Sequence, residues 1–179
     1  IERASGQTYA EFLEGRILAP LGMASSVSFD DREARIGKRA YGYRKQGDGF
    51  AIDDDDPLNY LLGSDGVYST VEDLYRWDQA LQGEQLVRRE TLAEAFRPVR
   101  LNSGEEYPYG FGWSLESHLD RRCVSHTGTW LGFRNFIGRY PEDRSSVIVL
   151  SNFAETDAEG LGDEIAGLYL AHDAVARGR

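Results

Sequence analysis

An α+β fold, an antiparallel sheet flanked by helices, is expected for this chain of 179 residues. Three observations point to it. Residues 1–104 carry mainly helix and loop patterns, strand patterns dominate from residue 105, and one apolar helical pattern closes the chain. The strand signal is clearest from Arg121 to Asn152. A first strand is expected to end near His126, a second to run Phe133–Tyr140 and a third Val147–Ser151. The third is apolar on both faces, as a buried strand is. Pro141-Glu142-Asp143-Arg144 supplies the turn between the last two.

The other elements follow in order. Thr8-x-x-Glu11 is a capping box, and the helix behind it has Tyr9, Phe12, Leu13 and Ile17 on one face, with Pro20 and Gly22 at its end. Residues 28–39 read as loop. Tyr41–Tyr43 and Phe50–Ile52 read as short strands around a turn at Gln46–Gly49. The acids Asp53–Asp56 lack the ligand spacing of a calcium loop and read as a solvated run. Ser69-x-x-Glu72 is a second capping box, followed by a core-forming stripe of Leu74, Trp77 and Leu81 and a stop at Gly83. A short helix is expected over Arg89–Phe96. Tyr107–Trp113 leads into a strand ending near Ser117, and a hairpin through Asp120 follows. The last helix is expected over Asp157–Ala171, with Leu161, Ile165, Leu168 and Tyr169 on its apolar face. The chain thus divides into a mainly helical region, 1–104, and a sheet-plus-helix region, 105–179.

Composition removes several function classes. A net charge of −10 and a pI near 4.8 argue against nucleic acid or an anionic membrane as partner. Cys123 is the only cysteine, which excludes an intrachain disulfide and a cysteine metal cluster. Its strand position suits a packed, inert thiol. His118, His126 and His172 are dispersed, so no zinc site is expected, and no metal or cofactor is assigned. No apolar run approaches the ~18 residues of a membrane helix. His118 and His172 read as surface residues.

The chemistry concentrates at His126-Thr127-Gly128-Thr129, followed by Trp130 and Gly132. A strand carrying hydroxyls, an imidazole and a glycine can lay its backbone along a substrate, because glycine removes the Cβ that would block the approach. Trp130, Tyr109 and Trp113 read either as pocket-lining residues or as core.

That stretch resembles the third motif, Lys-Thr-Gly, of the penicillin-recognising serine hydrolases: class C β-lactamases, D,D-peptidases and their esterase and D-aminopeptidase relatives. Here it stands as His126-Thr127-Gly128. Ser5–Leu13, Pro20–Met23, Gly66–Leu74, Tyr109–Trp113 and Val147–Asn152 agree with the same family in the same order. The family's Ser-x-x-Lys nucleophile motif and its Tyr-x-Asn are absent from this sequence. The resemblance therefore implies the C-terminal part of a β-lactamase/transpeptidase-like fold, lacking its N-terminal strands and helices.

The resemblance also implies roles. The reaction would be acyl transfer through a serine ester. The N–H of Thr129 would form half of an oxyanion hole, Thr127 would hydrogen-bond substrate, Gly128 would permit close approach and Trp130 would line the site. His126 would occupy the place of the family's lysine. An imidazole is a weaker match for a substrate carboxylate than an ammonium, so ester, amide or peptide hydrolysis is expected ahead of strong β-lactam turnover. The alternative is a non-catalytic relative that keeps the fold for ligand binding or scaffolding. The expected partners are a small ester, amide or peptide substrate, and either an N-terminal half of the same protein or a second copy paired along Val147–Leu150.

Overall fold

The computed structural model describes residues 1–29 and 36–176. Helix α1 (Glu2–Ser5) precedes α2 (Tyr9–Leu13), which passes through a π-helical turn, Glu14–Leu18, into α3 (Ala19–Leu21). The capping box forms as expected: Thr8 Oγ1 accepts from the Glu11 N–H, and Glu11 Oε2 accepts from the Thr8 N–H. Gly22 ends the helix in the left-handed conformation, φ 67°. Strands β1 (Val27–Ser28), β2 (Tyr43–Gln46) and β3 (Gly49–Ile52) follow, then a 3-10 turn, Pro57–Tyr60, and β4 (Val67–Tyr68). Helices α4 (Val71–Gln82) and α5 (Arg89–Ala95) precede β5 (Val99–Arg100) and β6 (Glu106–Tyr107). The central sheet is β7 (Ser114–His118), β8 (Arg121–Trp130), β9 (Phe133–Tyr140) and β10 (Ser145–Ser151), and α6 (Ala158–Ala176) closes the described chain. Residues 30–35, part of the expected 28–39 loop, lie outside the described residues.

The four central strands are antiparallel in the order β10-β9-β8-β7. The two faces bury different cores. On one, Val124 packs with Leu81 and Trp113, beside Trp77, Leu92, Phe96 and Ile137. Trp77 stacks on Trp113 at 5.8 Å. Arg139 crosses from this face to the buried Asp78 of α4, whose other carboxylate oxygen accepts from the Ser146 hydroxyl at 3.0 Å. Two charges buried together in this way fix α4 against the sheet, because neither can be left unpaired out of water. On the opposite face Cys123, Tyr140 and Val147 meet Ala166 and Leu170 of α6. Burial pushes the Cys123 thiol up to about 11. It is the packed, inert thiol expected.

Four expectations are corrected. The first strand does not end near His126; pairing with β9 carries it through to Trp130. The second helix is capped by Thr70, whose Oγ1 accepts from the Asp73 N–H at 3.2 Å, while Ser69 bonds to Ser26. Asp73 is then buried, accepting from the Ser25 N–H and the Ser26 hydroxyl. The acidic run is not all solvated: Asp54 is buried, accepting from the Gly42 N–H at 2.9 Å and from Arg39. The stripe expected to bury α6 points outward, with Leu168 and Tyr169 68% and 74% exposed. The buried residues are Ala158, Ala166 and Leu170, and a Cβ on Gly162 would lie 2.3 Å from the Phe136 ring.

Candidate functional site

Strand β7 accompanies β8 only as far as Ser125, opposite Ser114. Beyond it, Thr127–Trp130 pair with β9 on one side alone. The hairpin closes through two residues, Leu131 and Gly132, on the pair Trp130–Phe133. In a loop that short the closing pair exchanges both hydrogen bonds, and along an antiparallel ladder such pairs alternate. Gly128 and His126 therefore also bond to β9. The N–H and C=O groups of Thr127 and Thr129 point the other way, to the edge that β7 leaves open. Among the described residues no backbone group meets them there.

Side chains alternate with the same period. His126, Gly128 and Trp130 share the face that carries Val124 and Ile137, while Thr127 shares the α6 face with its cross-strand neighbour Phe136. Gly128 thus leaves a gap between an imidazole and an indole. A Cβ placed there would come no closer than 3.4 Å to the side chain of Asn135, an ordinary contact. Nothing in the chain itself demands glycine at 128. Gly132 is the opposite case, since its Cβ would lie 2.3 Å from the Tyr43 nitrogen.

Neighbours fix both rings. Trp130 Nε1 donates to Asn59 Oδ1 at 2.5 Å, and the Asn59 amide donates to the Asp54 carbonyl at 2.8 Å. The Gly132 N–H donates to the Asp53 carbonyl at 2.9 Å. The segment from Gly42 to Asn59 therefore holds the end of β8 in place. His126 Nδ1 lies 2.6 Å from the carbonyl of Thr127, and its Nε2 lies 2.8 Å from the hydroxyl of Tyr109.

The expected site residues His126, Thr127, Gly128, Thr129 and Trp130 thus lie together on one half-open strand. Trp113 belongs to the core, 7% exposed. His118 is not a plain surface residue: its Nδ1 lies 2.7 Å from the Tyr140 hydroxyl and 3.6 Å from Asp163. His172 lies beyond the last described side chain. Sequence reasoning missed Asn59 and Asn135. Only the strand register, which sets Asn135 opposite Gly128, points to the second.

A family model described as Beta-lactamase matches residues 1–171. The chain belongs to the Beta-lactamase family. Penicillin-binding protein 4* of Bacillus subtilis is 37% identical over 171 residues, covering 89% of this chain and 38% of that protein. A D-aminopeptidase of Brucella ovis is 27% identical over 158 residues, covering 86% of this chain and 29% of that protein. Among solved structures, the octameric penicillin-binding protein homologue from Pyrococcus abyssi superimposes with a TM-score of 0.78 at 26% identity, covering 95% of this chain and 39% of its own. The D-amino acid amidase from Ochrobactrum anthropi shares the fold, with a TM-score of 0.75 at 21% identity, 98% of this chain and 54% of its own. The chain spans well under two thirds of each relative's length. The α+β fold of the Beta-lactamase family is therefore present in part.

Proposed function

We propose that the full-length protein is a serine hydrolase acting through an acyl-enzyme on ester, amide or peptide substrates. The observation that carries this is the open edge of β8 at Thr127–Thr129, with an unfilled gap at Gly128 beside it. A substrate backbone can add there as a short antiparallel strand, the mode by which extended ligands bind sheet edges. The Thr129 N–H then points where a carbonyl oxygen would gain charge. The second oxyanion donor would be the N–H of a nucleophilic serine outside this sequence. Two such donors are together worth several kcal/mol of barrier. Thr127 hydrogen-bonds the substrate and Gly128 admits it.

Relatives named as penicillin-binding protein and D-aminopeptidase support an acyl-transfer reading. The imidazole in the lysine position supports amide, ester or peptide substrates over carboxylate-bearing β-lactams. The test is a serine-reactive phosphonate on the full-length protein, with mass spectrometry of the adduct. A single labelled serine outside residues 1–179, with loss of ester hydrolysis, is expected. In the same protein His126→Ala should lower kcat/KM by more than roughly tenfold, the scale of one hydrogen bond to the reacting complex. His118→Ala should leave it within about twofold, because His118 pairs with Arg121 at the other end of β8, away from His126. Turnover that survives complete phosphonate labelling would refute the acyl-serine reading.

A further inference from the structure

A cavity of about 510 Å³ opens where the turn between β9 and β10 meets α4 and α5, a volume typical of small-molecule sites. It lies at the Tyr140 end of β9. Arg134, the partner of Thr129, is six residues away, so the candidate site is roughly 20 Å distant. Leu81, Leu92 and Phe96 form its apolar wall. Phe96 is fixed there, edge-on to Trp113 at 5.8 Å and with the Arg139 guanidinium 5.8 Å from its ring. Three arginines line the cavity, Arg89, Arg139 and Arg144, and no lining residue is acidic. That is unusual in a chain with 30 acidic and 20 basic residues. Arg139 is paired with the buried Asp78. Among the described residues Arg89 and Arg144 make no ion pair. The acids close to them in sequence are engaged elsewhere. Asp143 pairs with Arg121, and Glu84 accepts from the backbone N–H of Arg89 at 3.1 Å. Arg144 is half-buried and has a left-handed backbone, φ 52°, at the last position of the four-residue loop between Tyr140 and Ser145. Glycine suits that conformation and a residue with a Cβ is strained in it. The chain thus keeps an unpaired guanidinium at a position where the backbone alone favours glycine.

We propose that this cavity is a second binding site, for a small organic carboxylate with an apolar body, of the medium-chain fatty acid class. Arg144 takes the carboxylate, since its planar fork matches two oxygens at once, and Arg89 adds a second positive charge at the mouth. Leu92 and Phe96 receive the apolar body, which leaves water as it enters. The net charge of −10 does not forbid an anion here, because salt screens charges beyond about 8 Å and the local sign then decides. The site is separate from the hydrolase reading and stands or falls without it.

The test is calorimetric titration of the full-length protein with octanoate, octanol, acetate and octyl phosphate, beside thermal melts of the variants. Octanoate should bind one to one. Octanol lacks the charge and acetate the apolar body, so each should bind at least roughly tenfold more weakly, the scale of one charged hydrogen bond or a few buried methylenes. Arg144→Gly relieves the left-handed strain, so it should melt at or above wild type while octanoate binding falls roughly tenfold or more. Arg144→Lys keeps the charge but loses the fork, and should fall between the two. Octanoate held equally by wild type and Arg144→Gly, or no one-to-one binding by a cooperatively melting protein, would overturn the proposal. Octanol binding as well as octanoate, or octyl phosphate binding more tightly, would overturn the carboxylate assignment. Binding lost in an Arg144→Gly protein that melts below wild type would mean that Arg144 holds the turn, and would overturn its role as the ligand's partner.

Discussion

Two glycines separate folding from function at the scale of single residues. Gly132→Ala should destabilise the protein by several kcal/mol, because its Cβ would meet the backbone of Gly42 and Tyr43. Gly128→Ala should change stability by under about 1 kcal/mol, since its Cβ meets only ordinary contacts. In the full-length protein the same change should lower kcat/KM by at least an order of magnitude. Thermal melts and steady-state kinetics on the pair check this. A Gly128→Ala protein that keeps full activity would remove the reason for assigning that gap to substrate. Cys123 gives a pH prediction. Its thiol would release its proton near 9.0 when unfolded but holds it to about 11 when folded. Between those values the native state binds the extra proton, so stability falls as pH rises. The loss should reach roughly 2 kcal/mol by pH 11 and be absent below pH 8. Urea melts of the wild type and Cys123→Ala across that range should converge at high pH. The site motif was legible because its residue types are unusual together. Asn59 and Asn135 were not, because each reaches the site through tertiary pairing from a different segment.

The elements were read with unequal success, and the misreadings share a physical origin. Helices with caps and strands with apolar alternation fell near their expected places. Strand β8 was expected to end too early because His126–Thr129 has no apolar alternation. Ladder bonds to β9 hold it extended, and these leave no mark on hydrophobicity. On α6 the largest apolar residues were assigned to the core, whereas the helix seats itself by its smallest. Ala158, Gly162 and Ala166, four residues apart, let its backbone lie close over Phe136. Gly162→Ala should therefore lower stability by about 1–3 kcal/mol, despite alanine's better helix propensity, because the buried Phe136 ring has nowhere to move. A melting temperature at or above wild type would show that the ring can yield.

For the molecule as a whole, two surfaces face outward with apolar character. One is the α6 stripe of Leu161, Ile165, Leu168 and Tyr169; the other is β10, which has no neighbour on its outer side among the described residues. Just past it, Tyr43 pairs with the chain at Asn152 and Ala154, which covers the end of that edge but not Val147–Leu150. An open edge and an apolar stripe on one molecule favour association. Residues 1–179 alone should therefore show mass rising with concentration in light scattering, and an added N-terminal half should suppress it. A monomer at high concentration with slowly exchanging amides at Val147–Leu150 would mean the edge is already covered. The same chain should give no ester or cephalosporin turnover, for want of a Ser-x-x-Lys nucleophile. Turnover abolished by a serine-reactive phosphonate would reveal a nucleophile within it.

The lone thiol beneath α6 also serves as a clock. Cys123 is 2% exposed and packs against Ala166 and Leu170, so no reagent reaches it while that helix is seated. Its rate of labelling by a disulfide reagent then counts how often the helix lifts, with no engineered cysteine. A partner that covers the outer stripe of α6 would slow that clock, and one that binds only at Thr127–Thr129 would leave it running at its own pace.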